Sequence, residues 1–346
     1  MNRMMWLIRR EIWEHRAIWI APLVVIASLL LAAVAGNVLE TNIHIGADGD
    51  EHGPGATSGL TGEDVADLAS IRGPEDLHKL EKLEKLQEAH AKGELRTISA
   101  GEAIAMVPEE KRMGVLAIVY AGVSAAMFAV LGIIGFFYAL DALYADRKDR
   151  SVLFWKSLPL SDTETVLSKF AVAAVVIPLV AAAAAVMAQL IVAVGGSVKL
   201  GLTGGDVGVM WMPQVLGGGA VTVVTLAVVC ALWYAPLCAY LLLASAWAPK
   251  SPILWASLPP VALIILEKIA FNSDYVSRLV NYRMSAPFEA MFRDTGGDEA
   301  AVRSMDIVGN ITGLLVSPGT LLGLVAAAGL LAGTIWIRRY RDESTA

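Results

Sequence analysis

The chain has 346 residues, of which 56% are apolar and 17% charged, and its mean hydropathy is +0.60. Soluble domains sit nearer about 45–50% apolar and about 25% charged, so both departures point to a membrane protein. They exclude a secreted disulfide scaffold and a disordered tail, and 27 basic against 33 acidic residues leaves no basic footprint for nucleic acid.

Residues 1–16 carry apolar side chains at Met1, Met5, Ile8 and Ile12 in helical register, with Trp6 and Trp13 flanking the stripe. This predicts an amphipathic helix lying in the membrane interface, with Trp6, Ile8, Ile12 and Trp13 as its interfacial residues and Arg10, Glu11 and Glu14 on the opposite side. A spanning helix needs about 20 consecutive apolar residues. The uncharged run 17–39 meets that length and is read as the first span. Ala33-Val34-Ala35 before Gly36 has the form of a cleavage site, but Glu11, Glu14 and two Trp ahead of the run argue for an uncleaved anchor.

Residues 40–112 form a polar insertion, Gly-rich at first, with a helix predicted near 74–92 from its i,i+4 pairs Glu75/Lys79 and Glu81/Lys85. The second span is 113–140. The loop 141–169 follows, containing a charged turn (Asp146–Arg150), an apolar stretch too short to span, and Pro159. It closes with Ser161 and Glu164 in capping-box spacing. The third span is 170–195, with Pro178 as a candidate kink.

The next uncharged run, Val207–Pro249, is 43 residues, too long for one helix and too short for two with a turn. Gly217–Gly219 is expected to break it, placing the fourth span at 220–247 with Pro236 as a second kink. The fifth is 253–271, with Glu267 and Lys268 paired at its outer end. An outer segment of short amphipathic helices, 272–306, leads to the sixth span, 315–337, and a tail, 338–346.

Lys and Arg near the span ends set orientation. With the N-terminus cytoplasmic, the inside segments sum to +4 and the outside segments to −10. Trp19, Trp247, Trp255, Trp336, Tyr144 and Tyr340 then form an aromatic belt at the inner face. The expected fold is all-α: a polytopic membrane protein with six transmembrane helices and both termini cytoplasmic.

Catalytic motifs are missing. There is no GxxxxGK[ST] loop, no HExxH and no GxSxG. Four of the five His lie scattered in the insertion, so no metal site is expected. Cys230 and Cys238 share one helix and cannot bridge. The polar residues in spans are few, and Gln189, Trp233 and Tyr234 are the candidates for a substrate path, with packing as the simpler role.

The segment DRKDRSVLFWKSLPLSDTETVLSK, Asp146–Lys169, resembles the cytoplasmic loop of bacterial ATP-binding cassette (ABC) exporter permeases of the six-helix, ABC-2 class. The wider plan is similar too: interfacial helix, six spans, and a helical outer segment between spans five and six. The resemblance implies a permease subunit of an ATP-driven exporter, with no enzyme activity of its own and no bound cofactor. ATP and Mg would sit on a partner ABC ATPase, present in two copies. It also implies a second permease copy, as a homodimer, in the bacterial plasma membrane (the inner membrane of a Gram-negative cell). Arg150, Phe154, Trp155, Lys156, Leu158 and Pro159 would be the coupling-loop contacts with the ATPase. The alternative is a non-transporting scaffold or sensor that binds a partner through the insertion.

Overall fold

The computed structural model describes residues 3–38, 109–149, 161–202, 206–292 and 304–340, and nearly all of them are helical. The predicted helix near 74–92 and the coupling-loop residues 150–160 lie outside the described residues.

The elements in chain order are α1 (Arg3–Glu14), α2 (Ala17–Val38), α3 (Glu109–Lys148) and α4 (Asp162–Ala171). A π-helical turn (Val172–Val176) joins α4 to α5 (Ile177–Leu202). A 3₁₀ turn (Val207–Trp211) precedes α6 (Pro213–Trp233). Then come α7 (Ala235–Trp247), α8 (Pro252–Phe271), α9 (Tyr275–Phe292), α10 (Ser304–Gly313) and α11 (Pro318–Tyr340). Among the described residues, five stretches are long and apolar enough to cross a membrane, and a sixth counts if α1 and α2, bent by 53° at their junction, act as one. The outward faces carry the apolar residues expected against lipid, among them Leu31, Leu266, Ile269, Leu321 and Val325.

The core lies where α5 meets α3, α6 and α2. It is built from small residues: Ala181, Ala184, Ala185, Ala188 and Ala193 are all buried. Lipid tails are as apolar as Leu, so helices in a bilayer gain most from close backbone approach, which small side chains permit. The far half of the bundle is held by α7, which packs on α11 and α3.

Three local expectations are corrected. The residues read as a charged turn at Asp146–Arg150 begin as helix, since α3 runs on to Lys148. The charged residues there find partners along the helix. Arg147 Nη2 donates to the carbonyls of Ser245 and Ala248 at 2.7 and 2.8 Å. It thereby caps the otherwise orphan carbonyls at the end of α7.

Gly217–Gly219 does not interrupt the fourth run, and α6 passes straight through it. A Cβ on Gly219 would sit 3.0 Å from Gln189 Oε1. Gly219 lets α6 close on α5, and that packing offsets the poor helix propensity of glycine there. The break falls instead at Tyr234, just before Pro236, so 220–247 covers the end of α6 and all of α7.

Glu267 and Lys268 do not pair with each other. Glu267 accepts the Tyr275 and Val276 N–H groups at 2.6 and 2.7 Å, capping α9, while Lys268 pairs with Asp274 at 3.0 Å. Asn272, at φ 47°, makes the left-handed turn between the two helices.

Prolines account for the other irregularities. Pro178 follows directly on the π turn, in which the Ile177 N–H reaches back to Val172 O. Pro260 cannot donate to Ala256 O, which instead accepts the Tyr240 hydroxyl at 2.6 Å.

Candidate functional site

The chain bends at His15. The His15 N–H still bonds Glu11 O at 3.0 Å, but a new helix starts at Ala17. α1 therefore lies across the end of the bundle, with Leu7 and Glu11 turned inward and only 2% and 1% exposed. Trp6 and Trp13 stay exposed and Ile8 and Ile12 half-buried. Glu11 was expected on the solvent side of α1, and its burial corrects that. A buried carboxylate is tolerated only where charge and hydrogen bonds compensate it.

The compensation comes from three other helices. Lys169, the last charged residue before the apolar run of α4 and α5, is 2% exposed. Its Nζ lies 3.0 Å from Glu11 Oε1 and 3.4 Å from Asp146 Oδ1. The Tyr138 hydroxyl donates to Glu11 Oε2 at 3.0 Å, and His15 packs edge-on against the Tyr138 ring at 4.7 Å. Arg338, near the end of α11, completes the cluster. Its Nη1 is 3.4 Å from Asp146 Oδ2 and its Nε 3.1 Å from Asp162 Oδ1.

Asp146 and Asp162 flank, in sequence, residues 150–159, the stretch where the resemblance to a coupling loop implies ATPase contacts. One guanidinium thus holds both margins of that segment. The same carboxylate, Asp146, leads through Lys169 to Glu11 on α1. Four helices, α1, α3, α4 and α11, are tied together at the end of α3 and the start of α4. Ser161 and Glu164 form the predicted capping box, with the Glu164 N–H donating to Ser161 Oγ at 3.1 Å and the Ser161 N–H to Glu164 Oε2 at 2.9 Å. The re-entry point is therefore fixed at the backbone as well. Arg150, Phe154, Trp155, Lys156, Leu158 and Pro159 lie outside the described residues.

The three substrate-path candidates do not share a site. Gln189 donates to Ser124 Oγ at 2.9 Å in a tight junction of α3, α5 and α6. The space beside it is about 10 Å³. Tyr234 lines an apolar cavity. Trp233, fully buried, lies by Arg283 of α9.

That last contact has a backbone cause. Pro287 cannot donate to Arg283 O, and the freed carbonyl accepts the Trp233 Nε1–H at 2.9 Å. The Tyr234 hydroxyl donates to the next carbonyl, Met284 O, at 2.7 Å. The Arg283 guanidinium stacks 4.4 Å from the Trp233 ring centroid and donates to Gly319 O at 3.1 Å. Burial lowers its pKa, though an arginine stays charged throughout the accessible range.

Gly323 is what lets α11 pass this group, because a Cβ there would collide with Arg283. Gly323→Ala is expected to displace the guanidinium and destabilise the protein by about 1–3 kcal/mol. Thermal unfolding in detergent checks this, and a neutral Gly323→Ala would contradict the close approach.

Among known proteins, residues 113–237 match the family described as ABC-2 family transporter protein. The matched stretch runs from α3 through the loop, α4, α5 and α6 into α7. It contains Asp146, Asp162 and Lys169, but neither α1 nor α11. No curated protein and no solved structure shows significant similarity to the chain. Helices apolar enough for five or six crossings, together with this match, support the chain as an ABC-2 type permease, a multi-pass membrane protein of the ABC transporter class.

Proposed function

We propose that the chain is the membrane-spanning subunit of an ATP-driven exporter, coupling ATP hydrolysis on a separate ATPase chain to substrate movement. The reading places both termini in the cytoplasm of a bacterial cell, with the protein in the plasma (inner) membrane. It pairs a second permease copy with this one and brings two ATPase subunits, which hold ATP and Mg, against the loop 141–169. The observation that carries it is the buried cluster built on that loop, whose Asp146 and Asp162 flank Arg150 and Pro159 in sequence.

A force applied to the loop reaches the bundle first at Asp146 and Asp162. Arg338 spans that pair, so their separation cannot change without moving α11. Lys169 passes the same displacement to Glu11 and α1. Such a cluster has discrete arrangements, paired or parted, as a two-state lever needs. The permease itself contributes geometry and no bond chemistry. Phe154, Trp155 and Leu158 are the groups proposed to enter the ATPase groove, with Arg150 and Lys156 at its rim and Pro159 closing the apolar stretch of sequence.

Trp155→Ala should leave membrane insertion intact and reduce copurification of a co-expressed cassette ATPase about tenfold, as expected for an aromatic anchor. If the variant copurifies with the ATPase and stimulates hydrolysis as the unmodified chain does, the coupling assignment fails. Cysteine labelling of the tail 338–346 from each side of the membrane tests the orientation.

A further inference from the structure

A cavity of about 490 Å³ lies between α3, the π turn with α5, and the α6–α7 break, with α9 closing one end. Its floor is made by Phe128, Leu131 and Ala181, all at least nine-tenths buried. Ile133 and Phe137 also line it, yet they are 60% and 55% exposed, so they mark its mouth. The mouth opens on the apolar outer face of α3, the face that meets hydrocarbon in a bilayer. The cavity is thus reached sideways from the membrane rather than from water.

Its chemistry is uniform. No lining side chain is charged. The Tyr234 hydroxyl already donates to Met284 O, leaving only the weak thiols of Cys230 and Cys238. A wall with no charge and so few free donors and acceptors gives water little to bond, and apolar cavities of even about 150 Å³ stay dry and take up hydrocarbon. The volume here is within the range of about 300–1,000 Å³ that holds small-molecule ligands. Two walls are also helix irregularities, the π turn Val172–Val176 before Pro178 and the break at Tyr234. A third, α3, leaves space at Gly132, where an added Cβ would meet nothing within 4 Å.

We propose that this cavity receives one hydrocarbon chain of a membrane lipid, entering between Ile133 and Phe137, and that the cargo of the permease carries such a chain. The second clause rests on the permease reading. The site recognises the chain and not the head group, because its wall carries no charge to pair with a head and only a phenol oxygen and two weak thiols to hydrogen-bond one.

The test uses the full chain in phosphatidylcholine vesicles doped with phosphatidylcholine bearing a diazirine at the acyl terminus. Photolabelling is mapped by mass spectrometry. Adducts are expected at Met284 and Phe288 inside the cavity, alongside general labelling at the lipid-facing Leu266. Gly132→Phe, which fills the empty space and replaces a helix-weakening glycine, should lower the Met284 and Phe288 adducts about tenfold by excluding several chain methylenes. Leu266 labelling and thermal stability should stay at or above the unmodified level.

Labelling confined to Leu266, or unchanged by Gly132→Phe, overturns the site. So does a disulfide between two copies formed through Ile133→Cys with the cavity unlabelled, which would make a second copy the occupant. Copurification with the cassette ATPase is measured on the same variant. If the ATPase never copurifies, the permease reading falls while chain binding stands. If the ATPase copurifies but its lipid-stimulated hydrolysis is equal in Gly132→Phe, the bound chain is structural and the cargo assignment is overturned.

Discussion

Lys169→Met should destabilise the protein by about 3–5 kcal/mol, the range seen when one partner of a buried ion pair is removed. The ammonium is 2% exposed and lies between Glu11, 3.0 Å away, and Asp146, 3.4 Å away. Methionine fills the same space, so the loss reflects two carboxylates left short of a cation and not a void. Asp146 keeps Arg338, whereas among the described residues Glu11 keeps Tyr138 and the nearby His15. Glu11 thus carries most of the penalty. The double variant Glu11→Gln, Lys169→Met should therefore recover most of the loss, because an uncharged pair needs no counter-ion. The double-mutant cycle, read by thermal unfolding in detergent, isolates this coupling. Additive effects of the two substitutions would show that Glu11 and Lys169 do not interact.

Arg338→Ala is the second large effect, and it is functional before it is structural. The guanidinium joins Asp146 to Asp162 and so holds the loop margins to α11. Asp162 is partly exposed and can be solvated when the cation goes, and Asp146 retains Lys169. The fold should survive with a loss of about 1–3 kcal/mol. What should be lost is communication: the complex with the cassette ATPase still assembles, but hydrolysis no longer moves α11. Arg338→Lys should restore one margin and not both, since an ammonium cannot present two donors in the fixed fork of a guanidinium. Intermediate function for Arg338→Lys would support this role, whereas full function would place the link elsewhere.

The all-helical membrane character was legible because it rests on length. Long uncharged runs need no tertiary information, and neither does the Ser161–Glu164 capping box. Pro178 and Pro236 were recognisable as points of irregularity for the same local reason. The failures share a cause, which is that a partner from elsewhere in the chain decides the outcome.

Gly217–Gly219 looks like a break until α5 presents Gln189 to it. Asp146–Lys148 looks like a turn until α7 supplies carbonyls for Arg147 and α11 supplies Arg338. Glu11 looks solvent-facing on α1 until the bend at His15 turns it towards Lys169, a contact across 158 positions of sequence. A signal was present: Lys169 abuts a long apolar run, and a charge at such a boundary calls for a counter-charge. Nothing local says which carboxylate answers. The pairing of Trp233 with the carbonyl freed by Pro287 is similar, since the orphan is predictable and its partner is not.

The most direct test of the central claim, that the buried cluster transmits the ATPase's motion into the bundle, is a distance measurement. Spin labels are placed at Met5 on α1 and Leu322 on α11, both exposed. The permease–ATPase complex is then compared with and without ATP and Mg by pulsed dipolar spectroscopy. The cluster predicts a nucleotide-dependent change in the distance distribution of the unmodified chain and a static distribution in Arg338→Ala with the ATPase still bound. The same nucleotide-dependent change in both proteins would contradict it.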